Sequence, residues 1–237
     1  MGSTSLRIEL LGSFRVLRGD QPLNVSLSCQ RLLALLALAR HPVTRERISG
    51  TLWPQASRHS SQASLRSTLW RLGTARAQLL MAADSLIGLA DDCDVDLYRA
   101  EGVGVALTNR NWRGDDHQAL LQVFSNDLLV DWYEPWLELD REIYRETRVH
   151  ALEALAREFL ATNRTFFAIR ACLEAIRSDP FRDTSHELLV EAYVAEGNVA
   201  AALTHIRRYR ATVSDELRVA PEKILARVEG QIMGLSP

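Results

Sequence analysis

The chain has 237 residues, of which 47% are hydrophobic and 24% are charged, and its formal net charge at pH 7 is −2. A hydrophobic share of this size fills one large core or two modest ones, which excludes a chain that is disordered throughout. The longest apolar run, Leu32–Ala39, is far shorter than the roughly 20 residues that cross a bilayer. We therefore expect a soluble, cytoplasmic protein that makes no membrane contact.

The motifs of the common enzyme and metal-site classes do not occur in the sequence. The cysteines Cys29, Cys93 and Cys172 lie far apart and form no C-x-x-C pair, and the six histidines are dispersed. The phosphate-binding P-loop, the dinucleotide fingerprint and the H-E-x-x-H motif are also absent from the sequence. The sequence therefore predicts a protein that is not an enzyme and that uses no cofactor and no metal.

Charge is distributed unevenly along the chain. Residues 1–90 carry eleven arginines against four acidic residues, a net charge of +7, whereas residues 91–237 carry 17 basic and 26 acidic residues, a net charge of −9. This asymmetry is typical of a nucleic-acid-binding module joined to a part that does not bind nucleic acid. A basic face that is merely solvated is the alternative interpretation.

The amino-terminal segment indicates short strands followed by a helix. Apolar and polar residues alternate over residues 6–18, and the turn-forming residues 19–22 follow, which predicts strands paired through turns. From Ser28 to Ala39 the apolar residues recur at helical spacing until His41-Pro42 interrupts them. We therefore expect a small antiparallel sheet and then a core helix.

Two further helices complete a helix-turn-helix pattern. Thr44 is placed to cap a short helix over Arg45–Leu52, which Trp53-Pro54 ends. After a polar stretch, a third helix is predicted from about Ser61 to Leu80. Three helices with a tight turn between the second and the third are the components of a helix-turn-helix.

The third helix carries the candidate DNA contacts. Leu65, Leu69 and Leu72 fall within a narrow arc and are expected to face the core. The opposite face combines small hydroxyls, guanidinium groups and one aromatic ring without an acidic group, which suits an element in the major groove. The predicted contacts on this helix are Ser60, Ala63, Arg66, Ser67, Trp70, Arg71 and Thr74. Arg45 and Arg47, at the start of the second helix, are expected to hold phosphates.

A hairpin and an acidic run follow the third helix. Residues 79–81 and 85–89, separated by residues 82–84, are typical of a two-stranded hairpin. Four aspartates then lie within residues 91–96, and we interpret this run as a domain boundary. The predicted domains are residues 1–96 and residues 97–237.

The second domain is expected to be helical and to contain a repeat. Apolar residues recur at helical spacing over residues 118–124 and 136–160. With Pro180 closing one unit, 34-residue repeats start at Val149 and Asp183. Six positions then match in register: Leu155, Ala156, Phe159, Ala168, Cys172 and Ala175 fall opposite Leu189, Val190, Tyr193, Ala202, Ile206 and Tyr209. The pattern resembles the tetratricopeptide repeat, whose stacked helix pairs leave a concave surface for a partner; chance similarity of two amphipathic helix pairs is the alternative.

A co-linear set of short motifs spans nearly the whole chain. It comprises the opening strands over 6–16, Gln30–Leu36, Leu52-Trp53-Pro54, Leu65-Arg66 through Arg71-Leu72, His150–Ala156, Ser178–Arg182, Gly197-Asn198 and Ala220-Pro221-Glu222. This set resembles the SARP family (Streptomyces antibiotic regulatory proteins), in which an OmpR-type winged helix precedes a bacterial transcriptional activation domain.

The resemblance implies both a fold and a function. The expected fold is mainly α with a small β part: an N-terminal OmpR-like winged helix over 1–96 and an all-α, tetratricopeptide-like domain over 97–237. The expected function is a sequence-specific transcription activator that binds promoter repeats in double-stranded DNA. Its helical domain would engage RNA polymerase or a second copy of the chain in a homodimer on DNA.

Two features depart from the family pattern and keep alternatives open. Gly73-Thr74 stands where the family continues with basic residues, and the hairpin carries Asp84 and no basic residue. The main alternative is therefore a tetratricopeptide-type adaptor whose winged helix has lost its affinity for DNA. Another is a ligand sensor that uses the aromatic cluster Trp132–Trp136 as a pocket, although such a cluster is more often a packing seam between the two halves.

Overall fold

The chain folds into two units, each built from two segments of the sequence. The first unit comprises Met1–Arg99 and Asp127–Glu142, and the second comprises Ala100–Asn126 and Ile143–Pro237. The computed structural model describes residues 6–218 except 84, 113 and 115, together with residues 226, 229, 230 and 234.

A four-stranded sheet opens the first unit. Strands β1 (Leu6–Glu9), β2 (Arg15–Arg18) and β3 (Gln21–Pro22) pair antiparallel in chain order, which confirms the strands predicted from the alternating pattern. The register pairs Ile8 with Val16, and both side chains are buried.

A later strand, β7 (Asp94–Val95), adds to β1 in parallel, so part of the acidic run belongs to this sheet. The Asp96 carboxylate then accepts hydrogen bonds from the backbone N–H groups of Leu10 at 2.8 Å and Leu11 at 3.1 Å. Burial raises the pKa of Asp96, although these N–H donors act in the opposite direction.

The helices of the first unit follow in the predicted order. They are α1 (Leu27–Ala39), α2 (Arg45–Leu52), α3 (Arg58–Arg71) and the short α4 (Arg76–Leu79). A second sheet of order β4-β6-β5 contains β4 (Val43–Thr44) and the hairpin of β5 (Leu80–Ala83) and β6 (Leu86–Leu89). The hairpin is therefore confirmed, and its second strand pairs with the short strand that leads into α2.

A segment distant in sequence, Asp127–Glu142, completes the first unit, and we call it the return segment. Leu128 forms an antiparallel bridge with Leu11, and the backbone N–H of Leu129 donates to Leu10 O at 2.8 Å. The Arg141 guanidinium holds the segment by donating to the carbonyl oxygens of Leu128 (3.0 Å), Leu129 and Trp132 (2.6 Å).

The return segment also carries the aromatic cluster. The Trp132 ring stacks on Phe14 with ring centroids 5.5 Å apart, and Trp136 meets Trp132 edge-on at 6.5 Å. Glu134 accepts from the Trp136 indole N–H at 2.9 Å and from an Arg31 Nη–H at 2.7 Å. The cluster thus packs within the first unit.

Six helices carry the described residues of the second unit. They are α5 (Asp96–Thr108), α6 (His117–Val123), α7 (Glu138–Ala161), α8 (Thr165–Ser178), α9 (Asp183–Ala195) and α10 (Val199–Leu217). The first turns of α5 and α7, up to Arg99 and Glu142, belong to the first unit. No bounds were predicted for α5, whereas the bounds expected for α6 and α7 are confirmed within about two residues. No helix among the described residues is long and apolar enough to span a membrane.

The repeat register agrees with the burial of the helix pairs. Of the twelve matched positions, eleven are buried and Tyr193 is partly buried. The α8–α9 turn is tied to α7 through the buried Glu153, whose carboxylate accepts from the Arg182 Nε–H at 2.7 Å and the Ser185 hydroxyl at 2.8 Å. The helix pairs α7–α8 and α9–α10 therefore correspond to the two predicted units.

A buried arginine fixes the end of α6 against α7. Arg148 is 1% exposed and donates to Phe124 O at 2.5 Å, while Glu174 lies 3.6 Å away. Burial and the charge of Arg177 lower the pKa of Arg148 to about 10. The guanidinium therefore stays charged near neutral pH.

The register predicts a sharp contrast between two alanines of α10. Ala202 is buried beside Val190 and Ile206, whereas Ala200 is exposed. We expect Ala202→Arg to lower the free energy of unfolding by at least about 3 kcal/mol, because it forces a charge into a closed contact. Ala200→Arg is the matched control and should melt as the parent does. Thermal melting by circular dichroism measures both, and equal melting of the two variants would contradict the register.

His186, which is buried, and His205, which is half-buried, form a pair that is expected to make the second unit acid-sensitive. His186 Nε2 lies 2.9 Å from Pro180 O, so it carries the proton, and its Nδ1 accepts from His205 Nε2–H at 2.9 Å. The His186 ring also stacks on Tyr209 with centroids 3.5 Å apart. Burial, with smaller repulsion from His186 and Arg208, lowers the pKa of His205 to about 4, and burial also lowers that of His186.

Because the folded-state pKa of His205 is depressed, the unfolded chain takes up its proton first as the pH falls below 6.5. We expect the free energy of unfolding to decrease by about 1–3 kcal/mol because of this pair as the pH is lowered from about 7 to about 4. Urea unfolding across this range measures the loss, and His205→Gln should flatten the slope because it keeps a donor without titrating. Identical slopes in parent and variant would show that the pair is not responsible.

Candidate nucleic-acid interface

Both helices of the helix-turn-helix begin at side-chain caps. The Thr44 hydroxyl accepts from the backbone N–H of Arg47 at 3.2 Å at the start of α2, as predicted. The Ser57 hydroxyl accepts from the N–H of Ser60 at 3.2 Å at the start of α3. Each cap satisfies a backbone donor that the first helical turn leaves free, so the turn between the helices has defined ends.

One side of α3 is buried against the core of the first unit. Leu65 and Leu69 are 2% and 3% exposed, and Leu72, just past the helix end, is also buried, as the sequence predicts. Thr68 is buried beside them, and its carbonyl oxygen accepts from the Cys29 thiol of α1 at 3.5 Å. This packing fixes which residues of α3 face outward.

Most of the predicted contact residues are exposed on the outward side, and two of them, Ala63 and Arg45, are half-buried. The exposed ones are Arg47, Ser60, Arg66, Ser67, Trp70, Arg71 and Thr74. Ala63 is half-buried, and so is Arg45, whose backbone N–H donates to Ser85 O at 2.9 Å. The Trp70 side chain is 79% exposed, as expected for a contact residue. An aromatic ring this exposed leaves a large apolar surface for a partner.

The third helix ends earlier than the sequence predicts. It stops at Arg71 rather than near Leu80, and Gly73 adopts a left-handed backbone with φ +54. Thr74 consequently lies in the 3₁₀ turn Gly73–Ala75 and not on α3. The Arg71 guanidinium reaches back to donate to the Ser28 hydroxyl of α1 at 3.4 Å.

Arg58 is an exposed cation that the sequence analysis missed. It is the first residue of α3, and its guanidinium pairs with Glu46 of α2 at 3.0 Å. Between residues 43 and 79 the sequence holds six arginines and Glu46 as the single carboxylate. The ion pair thus neutralises the one acidic group of the helix-turn-helix, and the remaining arginines give it a positive field. The position of Arg58 directly after the Ser57 cap was the available signal.

The hairpin presents a different chemistry. Met81 and Leu86 are its exposed large side chains, at 42% and 39%. Residues 80–89 contain no basic residue, and Asp84 lies outside the described residues. The described part of the hairpin therefore offers apolar surface and no cation to a phosphate.

The described residues hold no group of three or more histidine, cysteine or carboxylate side chains that could bind a metal ion. Cys93 and Cys172 are free, and burial raises the pKa of their thiols to about 11 and about 12. Both thiols are therefore protonated near neutral pH and are poor nucleophiles.

Comparison with known proteins defines the class of this chain. Residues 99–233 match the family described as the bacterial transcriptional activator domain, which is more than half of the sequence. The chain therefore belongs to this family of transcriptional regulators, and the resemblance to SARP-family activators is confirmed.

Similar regulators are known from two bacterial genera. Regulatory protein AfsR of Streptomyces coelicolor is 25% identical over 247 residues, which is 99% of this chain and 25% of AfsR. Transcriptional regulatory protein EmbR of Mycobacterium tuberculosis is 28% identical over 250 residues, which is 98% of this chain and 64% of EmbR. The chain thus spans a quarter of AfsR and less than two thirds of EmbR.

A solved structure supports the fold. Mycobacterium tuberculosis EmbR, in a complex with a low-affinity phosphopeptide, matches with a TM-score of 0.76 at 21% identity, over 98% of this chain and 66% of that chain. The predicted fold class, mainly α with a small amino-terminal β part and a helical remainder, is confirmed, and the helices and hairpin of the first unit are consistent with a winged helix.

The end of α3 generates a stability prediction with an internal control. Gly73→Ala should lower the free energy of unfolding by about 1 kcal/mol, because an L side chain disfavours the left-handed backbone there. No neighbouring atom lies within 4 Å of the added Cβ, so steric crowding adds nothing. Gly50 lies in the interior of α2, and an added Cβ there also meets no atom within 4 Å. Gly50→Ala should therefore raise the free energy of unfolding by about 0.5–1 kcal/mol. Urea unfolding gives both values, and a stabilising Gly73→Ala would mean that α3 continues through this position.

Proposed function

We propose that the chain is a sequence-specific DNA-binding transcription activator. In this proposal residues 1–96 form an OmpR-type winged-helix DNA-binding domain and residues 97–237 form the activation domain. The protein would bind promoter repeats in double-stranded DNA in the cytoplasm and engage RNA polymerase or a homodimer partner. The observation that carries the proposal is the outward side of α3, which bears Arg66, Ser67, Trp70 and Arg71 and no carboxylate.

The chemistry of this side matches the edges of base pairs. Arginine can bond a guanine in bidentate fashion, serine can bond any base, and an aromatic ring can contact the methyl group of thymine. Arg47 and Ser60, at the first turns of α2 and α3, lie where helix-turn-helix proteins contact phosphates. Arg58 would join these phosphate contacts if its guanidinium left Glu46 and bound a phosphate instead.

The acidic half suits a protein partner better than DNA. Residues 91–237 carry a net charge of −9, which repels a phosphate backbone. Stacked helix pairs of the kind formed by α7–α10 commonly bind other proteins. We therefore assign contacts with RNA polymerase or with a second copy of the chain to this half.

A specific observation favours a second candidate function. The described part of the hairpin is apolar and lacks a cation, whereas a wing that touches DNA normally carries positive charge. The alternative is a tetratricopeptide-type interaction adaptor whose winged helix does not bind DNA.

The experiment that separates these functions begins with selection of bound fragments from a genomic DNA pool by the purified full chain. Affinity for a selected fragment is then measured by fluorescence anisotropy over a range of salt concentrations. An activator should show log K falling by about 0.9 for each phosphate contact per log unit of salt. Failure to enrich any fragment, or an affinity that is flat in salt, would favour the adaptor. Transcription from the selected promoter with purified polymerase then tests activation separately.

Substitutions on α3 test which residues read bases. We expect Arg66→Ala and Arg71→Ala each to weaken binding by about 1–3 kcal/mol and to relax discrimination at one base position. Arg170→Ala, at an exposed arginine of α8, is the matched control and should leave the affinity unchanged. Equal weakening on selected and unrelated DNA would reassign Arg66 and Arg71 to phosphates, and unchanged affinity would remove α3 from the interface.

A further inference from the structure

A groove runs between α5 and α7 inside the second unit. The helices approach closely at Gly104, where an added Cβ would lie 3.0 Å from Thr147 Cγ2 and 3.7 Å from Ala151 Cβ. Next to this approach lie two cavities of about 330 Å³ and about 350 Å³. Both are lined by Thr108 and His150, so they adjoin, and together we call them the α5–α7 groove.

The first cavity forms an apolar arm. Val105, which is 56% exposed, lines it together with Gly104, Thr108 and Thr147. The hydroxyls of Thr108 and Thr147 donate to carbonyl oxygens of their own helices, at 2.9 Å and 3.1 Å. Because both hydroxyls are already satisfied, this arm favours an apolar occupant over a polar one.

The second cavity forms a charged arm. Arg110 and Arg157 line it beside Glu158, over a floor that includes Leu107 and Ala154. Within the described part of the chain, neither guanidinium group forms an ion pair with a carboxylate. Two guanidinium groups against one carboxylate leave this arm with a net positive charge.

The other carboxylate of the groove is already engaged. Glu146, at the edge of the apolar arm, accepts from Arg145 at 2.9 Å and lies 3.6 Å from Arg182. Arg182 also lies 3.2 Å from both ring nitrogens of His150, which lines both arms. The net positive charge of the groove therefore comes from Arg110 and Arg157, which exceed the single carboxylate of Glu158 by one charge.

We propose that the α5–α7 groove binds a small amphipathic anion: an apolar chain along Val105 and Thr147, and a carboxylate or phosphate head group at Arg110 and Arg157. Guanidinium groups bind such head groups through paired, charge-assisted hydrogen bonds. Cavities of this size hold small organic ligands, and mixed apolar and polar walls are typical of their sites. This proposal concerns the second unit alone and does not depend on DNA binding.

The direct test is calorimetric titration of the full chain with decanoate, kept below its micelle concentration. Decyl phosphate distinguishes a phosphate from a carboxylate head group, decanol lacks the charge, and inorganic phosphate lacks the chain. We expect at least one of the two anionic amphiphiles to bind with one-to-one stoichiometry, at least fivefold more tightly than either decanol or inorganic phosphate. The proposal would be overturned if neither decanoate nor decyl phosphate bound, or if decanol or inorganic phosphate bound as tightly as the anionic amphiphiles.

Substitutions decide whether binding occurs in this groove. Arg157→Gln and Arg110→Asn should each weaken binding of the anionic amphiphile at least fivefold, and asparagine suits the left-handed backbone of Arg110 at φ 57. Val105→Gln should weaken it through the apolar arm, while Arg170→Gln, outside the groove, should not. Circular dichroism melting verifies that each variant is folded. Equal affinity in all folded variants would show nonspecific uptake and would overturn the assignment.

Discussion

The burial of one side of α3 determines what the first unit can present to a partner. Because Leu65, Thr68 and Leu69 are enclosed by the core and α1, rotation of the helix about its axis would expose apolar surface. The outward positions, and with them Arg66, Ser67 and Trp70, follow from that packing. The caps at Thr44 and Ser57 then set where α2 and α3 begin, so the spacing between their arginines is also defined.

Features that depend on local periodicity could be predicted from the sequence. The alternation of apolar and polar residues over 6–18 predicted β1 and β2. The capping residue Thr44 predicted the start of α2, and the spacing of the leucines predicted the buried side of α3. The repeat around Pro180 worked for a similar reason, because each matched position is buried by a neighbouring helix. The outward residues then followed as the complement of the buried ones, so their exposure, though not their contact with DNA, could be predicted.

Features that depend on long-range pairing could not be predicted. The predicted end of α3 near Leu80 was wrong, because helical propensity alone does not reveal that Gly73 takes a positive φ. The Arg58–Glu46 ion pair requires the angle between α2 and α3, and the bond from Arg71 to Ser28 requires the position of α1. Trp132 looked like part of the helical half because its partner, Phe14, lies more than a hundred residues away. A single sequence contains no local signal for such contacts.

The return segment has a consequence for how the chain folds during synthesis. The bridge between Leu11 and Leu128 and the bond from Leu129 to Leu10 close a very long loop, which is entropically costly and slow. When only the first hundred residues have left the ribosome, the backbone of Leu10 and Leu11 and the ring of Phe14 therefore lack the segment that covers them. The first unit becomes complete only after Arg141 has emerged, when its guanidinium can fasten the carbonyl groups of the segment. The amino-terminal unit is thus expected to mature late, alongside the helices that follow it, rather than first as in proteins with contiguous domains.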